Sequence, residues 1–260
     1  MPAISPPTLL TISGHDPSGG AGIQADIEAA TANGCAATSV VTCLTVQDTR
    51  NLSEWAPIEP GLVNRQARTL LADIPIQAIK IGLLGNDSIA QIIGALLSDY
   101  PQIPVVLDPV LASGGGTELA GKTLLDSIRL QLLPHTTLIT PNSLEARRLT
   151  GLEDLDACAS KLLSLGCGAV LITGTHEKER EVSNRLYHCG EKSASLWPRL
   201  PGEYHGSGCT LASSIAAFLA RGRPLEEAVL RGQEYTWKAL SQGYRSGRGQ
   251  LLPDRFFFSR

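Results

Sequence analysis

The chain predicts a three-layer α/β/α fold around a mostly parallel sheet, with an antiparallel hairpin at one edge. Three observations carry this. Strand and helix candidates alternate through most of the 260 residues. The strand candidates are mostly continuous apolar runs, the pattern of strands covered on both faces. The polar residues best suited to chemistry (Asp16, Gln47, Asp108, Asn142, Glu145 and a glycine loop at 206) fall at or just after strand ends. That is where open α/β sheets bind ligands, although strand-end loops also carry polar residues simply because they meet solvent.

Composition and turn residues place each element. Thr8 to Ser13 is a first, central strand, closed by Gly14-His15-Asp16-Pro17-Ser18-Gly19-Gly20-Ala21-Gly22, a loop dense in turn residues. Ile23 to Ala32 is helical by composition, and Asn33-Gly34 supplies a left-handed stop. Ala37 to Val46 is the second strand, ending at Gln47-Asp48. A helix from Val63 to Ala72 carries Val63, Ala67, Leu70 and Leu71 as its apolar positions, and Ala78 to Ile81 is a strand closed by Gly82. Ile89 to Leu97 is a helix, Pro104 to Leu107 a buried strand ending at Asp108-Pro109, and Lys122 to Leu133 a helix. Leu138-Ile139 is a short strand before Thr140-Pro141-Asn142. Helices at 143–149 and 155–165 lead to a strand at Ala169 to Ile172. Beyond Gly174, Asn184 to Cys189 and Ser193 to Trp197 form the edge hairpin. Helices at 211–220 and 225–240 follow, and the tail to Arg260 carries no recognisable pattern. Crossovers between parallel strands should be right-handed, and the length fits one domain spanning 1–260.

His205-Gly206-Ser207-Gly208-Cys209-Thr210 joins an irregular segment to the small, apolar helix beginning at Leu211, so Gly206 to Cys209 opens a helix. The first amides of a helix have no internal partner and sit at the positive end of its dipole, while glycines let an anion come close. A cysteine there feels a field that favours thiolate, below its ordinary pKa of roughly 8.5, which makes Cys209 a candidate base or nucleophile. The bland reading of the same residues is a pair of helix-start glycines with a packed cysteine.

Composition excludes several partners. A net charge of −3, with 43% hydrophobic and 18% charged residues, fits an ordinary globular protein and argues against nucleic acid. The six cysteines form no Cys-x-x-Cys pair, so neither a zinc site nor a disulfide framework is expected, and reduced thiols are. Met1 to Pro7 lacks the features of a leader, and no run reaches the roughly 18 apolar residues of a membrane span. A cytoplasmic location without membrane contact is the expectation.

Taken together, Thr11-Ile-Ser-Gly-His-Asp-Pro-Ser-Gly-Gly-Ala-Gly-Ile-Gln-Ala-Asp26, Lys80-Ile-Gly-Leu-Leu84, Val106-Leu-Asp-Pro-Val110, Leu138-Ile-Thr-Pro-Asn142 with Glu145, and His205 to Thr210 resemble the hydroxymethylpyrimidine/phosphomethylpyrimidine kinases of thiamin biosynthesis. These belong to the ribokinase-like superfamily, and the motifs occur here in the right order. The resemblance implies a homodimeric enzyme that uses MgATP to phosphorylate 4-amino-5-hydroxymethyl-2-methylpyrimidine and then its monophosphate, with K+ as a candidate monovalent ion. It implies Cys209 as the base where most of the superfamily has aspartate, with Gly206, Ser207 and Gly208 holding charge on the γ-phosphate. It puts Asp108 and Glu145 near Mg2+, Asn142, Thr173 and Thr175 beside the nucleotide, and Gly14, Asp26, Gln47 and Leu83 against the pyrimidine.

Residue chemistry agrees with these roles. Phosphoryl transfer depends on positioning and on stabilising anionic charge. Hard carboxylate oxygens suit a cation that bridges phosphates, and a glutamine offers an acceptor and a donor side by side to an aminopyrimidine edge. The bland alternatives are surface or capping carboxylates at 108 and 145, and a helix-capping or solvated carboxylate at 26. Two departures stand out: Thr173-Gly174-Thr175-His176 replaces the family's Lys-Gly-Gly-His, so the lysine expected near the ATP phosphates is absent, and Leu83 replaces a common methionine.

Other motifs compete. Gly116-Thr-Glu-Leu-Ala-Gly121-Lys122-Thr123 matches the P-loop pattern, but a P-loop leaves its strand directly and Ala112 to Gly115 intervene. His205 with Cys209 could suggest Cys–His acyl transfer, yet no orienting acid is evident. Pyridoxal kinase is the nearest alternative among kinases, and a pyrimidine-binding sensor without catalysis is the alternative outside them.

Overall fold

The computed structural model describes residues 5–259, so the leader reading at Met1 to Pro7 falls mostly outside it. Nine strands form one sheet: β1 (Thr8–His15), β2 (Ala36–Gln47), β3 (Leu52–Pro57), β4 (Ile76–Ile81), β5 (Val105–Leu107), β6 (Leu138–Ile139), β7 (Ala169–Ile172), β8 (Glu181–His188) and β9 (Glu191–Pro198). Their spatial order is β3-β2-β1-β4-β5-β6-β7-β8-β9. Neighbours from β2 through β7 pair in parallel, whereas β3, β8 and β9 pair antiparallel at the two edges.

Consecutive strand residues feed opposite cores, which is why the central strands are mostly apolar. Leu10, Ile79, Leu107 and Ile139 pack under α2 (Pro60–Asp73), α3 (Asp87–Ser98), α4 (Lys122–Ser127), α5 (Ser143–Thr150) and α6 (Leu155–Ser164). Leu9, Ala78, Val106 and Leu138 pack under α1 (Gly22–Ala32), α7 (Ser207–Ala220) and α8 (Leu225–Ser241). Small residues line α7, so it lies close to both sheet and α8.

The sequence-based elements are present, with three differences. Strand β3 was not anticipated, because Ser53 to Pro57 are all exposed and give no apolar signal. The helix expected over 122–133 is α-helical only to Ser127, then a π-turn (Ile128–Leu132) and a 3-10 turn (Leu133–His135) that takes Pro134 near its start. The tail is ordered rather than patternless: Leu251 bridges Tyr204, Leu252 bridges Tyr244, and the Arg255 side chain is sealed inside.

No helix among the described residues is long and apolar enough to cross a membrane. The P-loop-like segment stands apart from its strand, since β5 ends at Leu107 and Lys122 lies exposed at the start of the six-residue α4.

Gly232 of α8 sets the spacing to α7. A Cβ there would sit 2.5 Å from Ile215 Cγ1 and 3.1 Å from the Ile215 backbone nitrogen. Alanine favours a helix by about 1 kcal/mol over glycine, but the backbone contact forces the two helices apart. Gly232→Ala should therefore destabilise by about 1–3 kcal/mol in urea melts. Unchanged or increased stability would show that α7 and α8 can shift freely.

Candidate active site

The start of α7 is shaped by one steric constraint. Gly206 adopts a left-handed conformation at φ 80°, and a Cβ there would lie 1.9 Å from the Gly20 carbonyl oxygen. Only glycine fits. Asn86, Asn142 and Asp154 cap α3, α5 and α6, but no side chain caps α7, so the amides of its first turn remain available to an anion.

Asp108 faces this turn from the end of β5: a Cβ on Gly208 would stand 3.7 Å from both of its carboxylate oxygens. Its Oδ2 is buried without a hydrogen-bond partner. Burial pushes Asp108 up to about 6 although Lys80 pulls it down, and burial followed by the Asp108 charge pushes Glu145 up to about 8. Glu145 also caps α5. Its Oε2 accepts the Asn142 amide at 2.9 Å, its Oε1 accepts the Leu111 amide at 3.3 Å, and Asn142 Oδ1 accepts the Glu145 amide in return. An orphaned hard oxygen beside a second buried carboxylate fits a divalent cation. Among the described residues no cluster of three or more His, Cys, Asp or Glu exists to hold one alone. The remaining ligands would have to be phosphate oxygens or water.

Beneath the turn lies a charge pair that the sequence reading missed. Residues 78 and 80 share one face of β4, so the Lys80 side chain points at α1 and α7. There its Nζ donates to Asp26 Oδ1 at 2.7 Å, and both side chains are wholly inaccessible. Asp26 also accepts from Thr11 Oγ1 (2.6 Å) and Ser213 Oγ (2.7 Å). Asp26, expected at the pyrimidine, thus has its carboxylate held by three donors and closed to solvent in this structure. A lysine within the otherwise apolar run Ala78 to Ile81 was the available signal, since lysine is almost never buried without a partner.

Two clamps hold the surrounding loops. Asp16 accepts from the Ser18 and Ala21 amides, both at 2.8 Å, and lies 2.7 Å from His205 Nε2. Burial raises Asp16, but His205 and Ser18 together hold its carboxyl below the usual range. His205 thus pairs with Asp16 rather than with Cys209. Arg255 donates from Nε to Thr210 Oγ1 and from its two terminal nitrogens to the Gly19 and Gly20 carbonyls and to Glu28. No sequence signal pointed to Arg255.

The expected field effect on Cys209 is also corrected. Burial pushes this thiol up to about 12; Lys80 opposes the rise, while Asp108 and Asp26 add to it. Among the residues expected at the pyrimidine, Gly14 and Leu83 meet, since a Cβ on Gly14 would be 3.0 Å from Leu83 Cδ2 and 2.8 Å from Cys43 Sγ. Half-buried Gln47, at the end of β2, lines a cavity of about 450 Å³ with Pro17 and Ser18. Of the residues expected beside the nucleotide, Asn142 and Thr173 form a bridge between strand ends, and Thr175 is exposed, its carbonyl accepting from Arg199.

An uncapped glycine turn, an orphaned carboxylate facing it and a parallel sheet that presents both at its strand ends define a phosphotransferase of the ribokinase-like class. Residues 16–254 match the phosphomethylpyrimidine kinase family, and the chain belongs to it. A hydroxymethylpyrimidine/phosphomethylpyrimidine kinase from Streptomyces coelicolor is 36% identical over 95% of this chain and 94% of its own length. A thiamine biosynthesis bifunctional protein from Geobacter sulfurreducens is 37% identical over 93% of this chain, which spans 51% of that longer protein. Among solved structures, pyridoxal kinase from Bacillus subtilis superimposes with a TM-score of 0.91 at 28% identity, covering 98% of this chain and 99% of that one. A phosphomethylpyrimidine kinase from Clostridium difficile gives 0.79 at 32%, covering 90% and 99%.

Two stability predictions follow from these charges. Lys80→Met strands the Asp26 carboxylate and should cost about 3–5 kcal/mol, much of it regained in Lys80→Met/Asp26→Asn. A single variant as stable as wild type would mean the pair is not sealed. Glu145 has its pKa raised in the folded state, so the native protein holds a proton there that the unfolded chain has lost between about pH 4.5 and 8. Stability should fall across that window, and Glu145→Gln should flatten the fall. An identical pH profile in the variant would contradict the assignment.

Proposed function

We propose that this chain, as one kinase domain in the cytoplasm, transfers the γ-phosphoryl group of ATP to the hydroxymethyl oxygen of 4-amino-5-hydroxymethyl-2-methylpyrimidine. In a second turnover it transfers one to a phosphate oxygen of the resulting monophosphate. In a chain of this family, the observation that carries the reading is the unpartnered Asp108 oxygen facing the uncapped glycine turn. Each transfer forms one bond from the acceptor oxygen to the γ-phosphorus and breaks the bond from that phosphorus to the β-phosphate oxygen, releasing ADP.

The Ser207, Gly208 and Cys209 amides hold charge that develops on the moving group. Asp108 and Glu145 would hold Mg2+, which when bound supplies charge neutralisation to the nucleotide phosphates. Cys209 takes the hydroxyl proton in the first transfer. At about 12 the thiol is protonated in the free protein, so this role depends on a change of charge around it. Asp108 is one of the groups that raise it, and neutralising Asp108 moves the thiol toward base function. Gln47 reads the amino and ring-nitrogen edge of the pyrimidine, while Gly14 and Leu83 form a floor. Thr173, Thr175 and Asn142 line the nucleotide side, where the family lysine is missing. K+ as the monovalent ion and a homodimer belong to the same proposal; exposed Leu44, Val46 and Trp55 on β2 and β3 offer an apolar edge for the dimer.

A second reading, pyridoxal as acceptor, is favoured by the TM-score of 0.91 to a pyridoxal kinase. Mass analysis after incubation with MgATP and either acceptor separates the two. The pyrimidine should gain one and then two phosphoryl groups, and turnover of pyridoxal alone would overturn the first reading.

Cys209→Ala should lower kcat by about 10²–10⁴-fold with ATP affinity little changed. Gln47→Ala should cost about 1–3 kcal/mol in kcat/KM for the pyrimidine. Asp108→Asn should raise the Mg2+ concentration needed for half-maximal rate. Wild-type kinetics in the cysteine variant would remove it from the mechanism, and an unchanged magnesium dependence would do the same for Asp108.

A further inference from the structure

Three loops meet above the strand ends. Thr49 accepts the Gln250 amide through its carbonyl at 2.8 Å and the Gly249 amide through its hydroxyl at 3.0 Å. Gln250 Nε2 donates to the Gly114 carbonyl, and Thr117 Oγ1 donates to the Leu52 carbonyl. The segments around 49, 114 and 249 therefore form one roof rather than three separate tips.

Two cavities of about 490 and 450 Å³ open under this roof, and both are lined by Arg50 and Arg248. The second also holds Gln47 and Ser18. The first reaches Gly114, whose added Cβ would lie 3.4 Å from His205 Nδ1, one residue before the glycine turn. The two arginines thus stand along the span from the ring-reading glutamine to the phosphate cradle.

Their side chains are also unusual here. Among the described residues, every arginine except Arg50, Arg180 and Arg248 is held by a hydrogen bond or an ion pair. Arg50 feels the Asp48 carboxylate only at a distance, because Asp48 is already occupied by the Arg50 and Asn51 amides. A chain with net charge −3 thus leaves two uncommitted guanidinium groups at one mouth.

Resting on the two-step kinase reading above, we propose that Arg50 and Arg248 select the phosphorylated acceptor. They bind the anionic group of the monophosphate in the second transfer and contribute little to the neutral hydroxymethyl acceptor in the first. The chemistry discriminates: a phosphate monoester carries about −1.5 to −2 charges at neutral pH and offers oxygens that a planar guanidinium can meet two at a time, whereas a primary alcohol offers neither. The two acceptors share a ring, so selection between them has to act on the substituent.

The test compares kcat/KM for the two acceptors in wild type, Arg50→Gln, Arg248→Gln, the double variant, and Arg50→Lys/Arg248→Lys, with thermal melting to check folding. The double glutamine variant should lose about 10-fold or more for the monophosphate and less than about 3-fold for the alcohol. The lysine pair should recover part of the loss, and added NaCl should raise the wild-type KM for the monophosphate more than for the alcohol. Equal losses for both acceptors, or none for either, would overturn the assignment. A wild-type protein that phosphorylates neither acceptor would instead sink the kinase reading itself. If the double variant fails to fold, the single variants give the same ratio.

Discussion

Asp26 gathers donors from three other elements onto one sealed carboxylate: Thr11 from β1, Lys80 from β4 and Ser213 from α7. Removing two charges from water is costly, and their attraction offsets that cost only when geometry and extra hydrogen bonds are good. Here the carboxylate has three close donors, so the arrangement fixes α1 and α7 relative to the sheet in a way that apolar packing alone would not. Small, apolar faces such as that of α7 can slide; a saturated carboxylate cannot. The uncapped first turn begins six residues before Ser213 on the same helix, so its position over β4 and β5 depends on this buried contact.

Above that anchor the cradle is set by backbone geometry. Gly206 takes a left-handed turn against the Gly20 carbonyl, and Asp16 reaches His205 across the same gap. Arg255 then bonds both the Gly19–Gly20 backbone and Thr210, so the tail closes a ring begun by the first loop. Three side chains far apart in sequence thereby hold one turn whose own amides stay uncapped. A preorganised cradle is what phosphoryl transfer needs, because there is little covalent work for the protein to do.

How legible this was in the sequence depended on range. The central strands were readable because two-sided burial makes them mostly apolar, as in Ala169 to Ile172, and the glycine turn was readable because its steric demand is local. β3 was not, since its side chains face solvent and the strand is defined by its pairing with β2. Arg255 and the Asp26–Lys80 pair were missed for the same reason: each partner is ordinary alone, and only the crossover topology brings residues 26, 80 and 213 together. The Cys209 pKa was misjudged because the helix-start field was weighed without the burial and the neighbouring carboxylates that oppose it.

Those carboxylates also bear on the missing lysine at Thr173. Burial raises Asp108 and Glu145 to about 6 and 8, with the Asp26 charge adding to the first and the Asp108 charge to the second, while Lys80, itself paired with Asp26, only partly opposes the rise at Asp108. The free site therefore carries a proton that a cation can replace, and cation binding should release it. In the proposed reading, a lysine at 173 would add a permanent positive charge beside the nucleotide phosphates and lessen the dependence on that exchange. With threonine there instead, more of the neutralisation falls on the carboxylate-held cation and on the amides of Ser207 to Cys209. Nucleotide binding in this chain should accordingly be coupled more tightly to magnesium and to pH than in a Thr173→Lys variant.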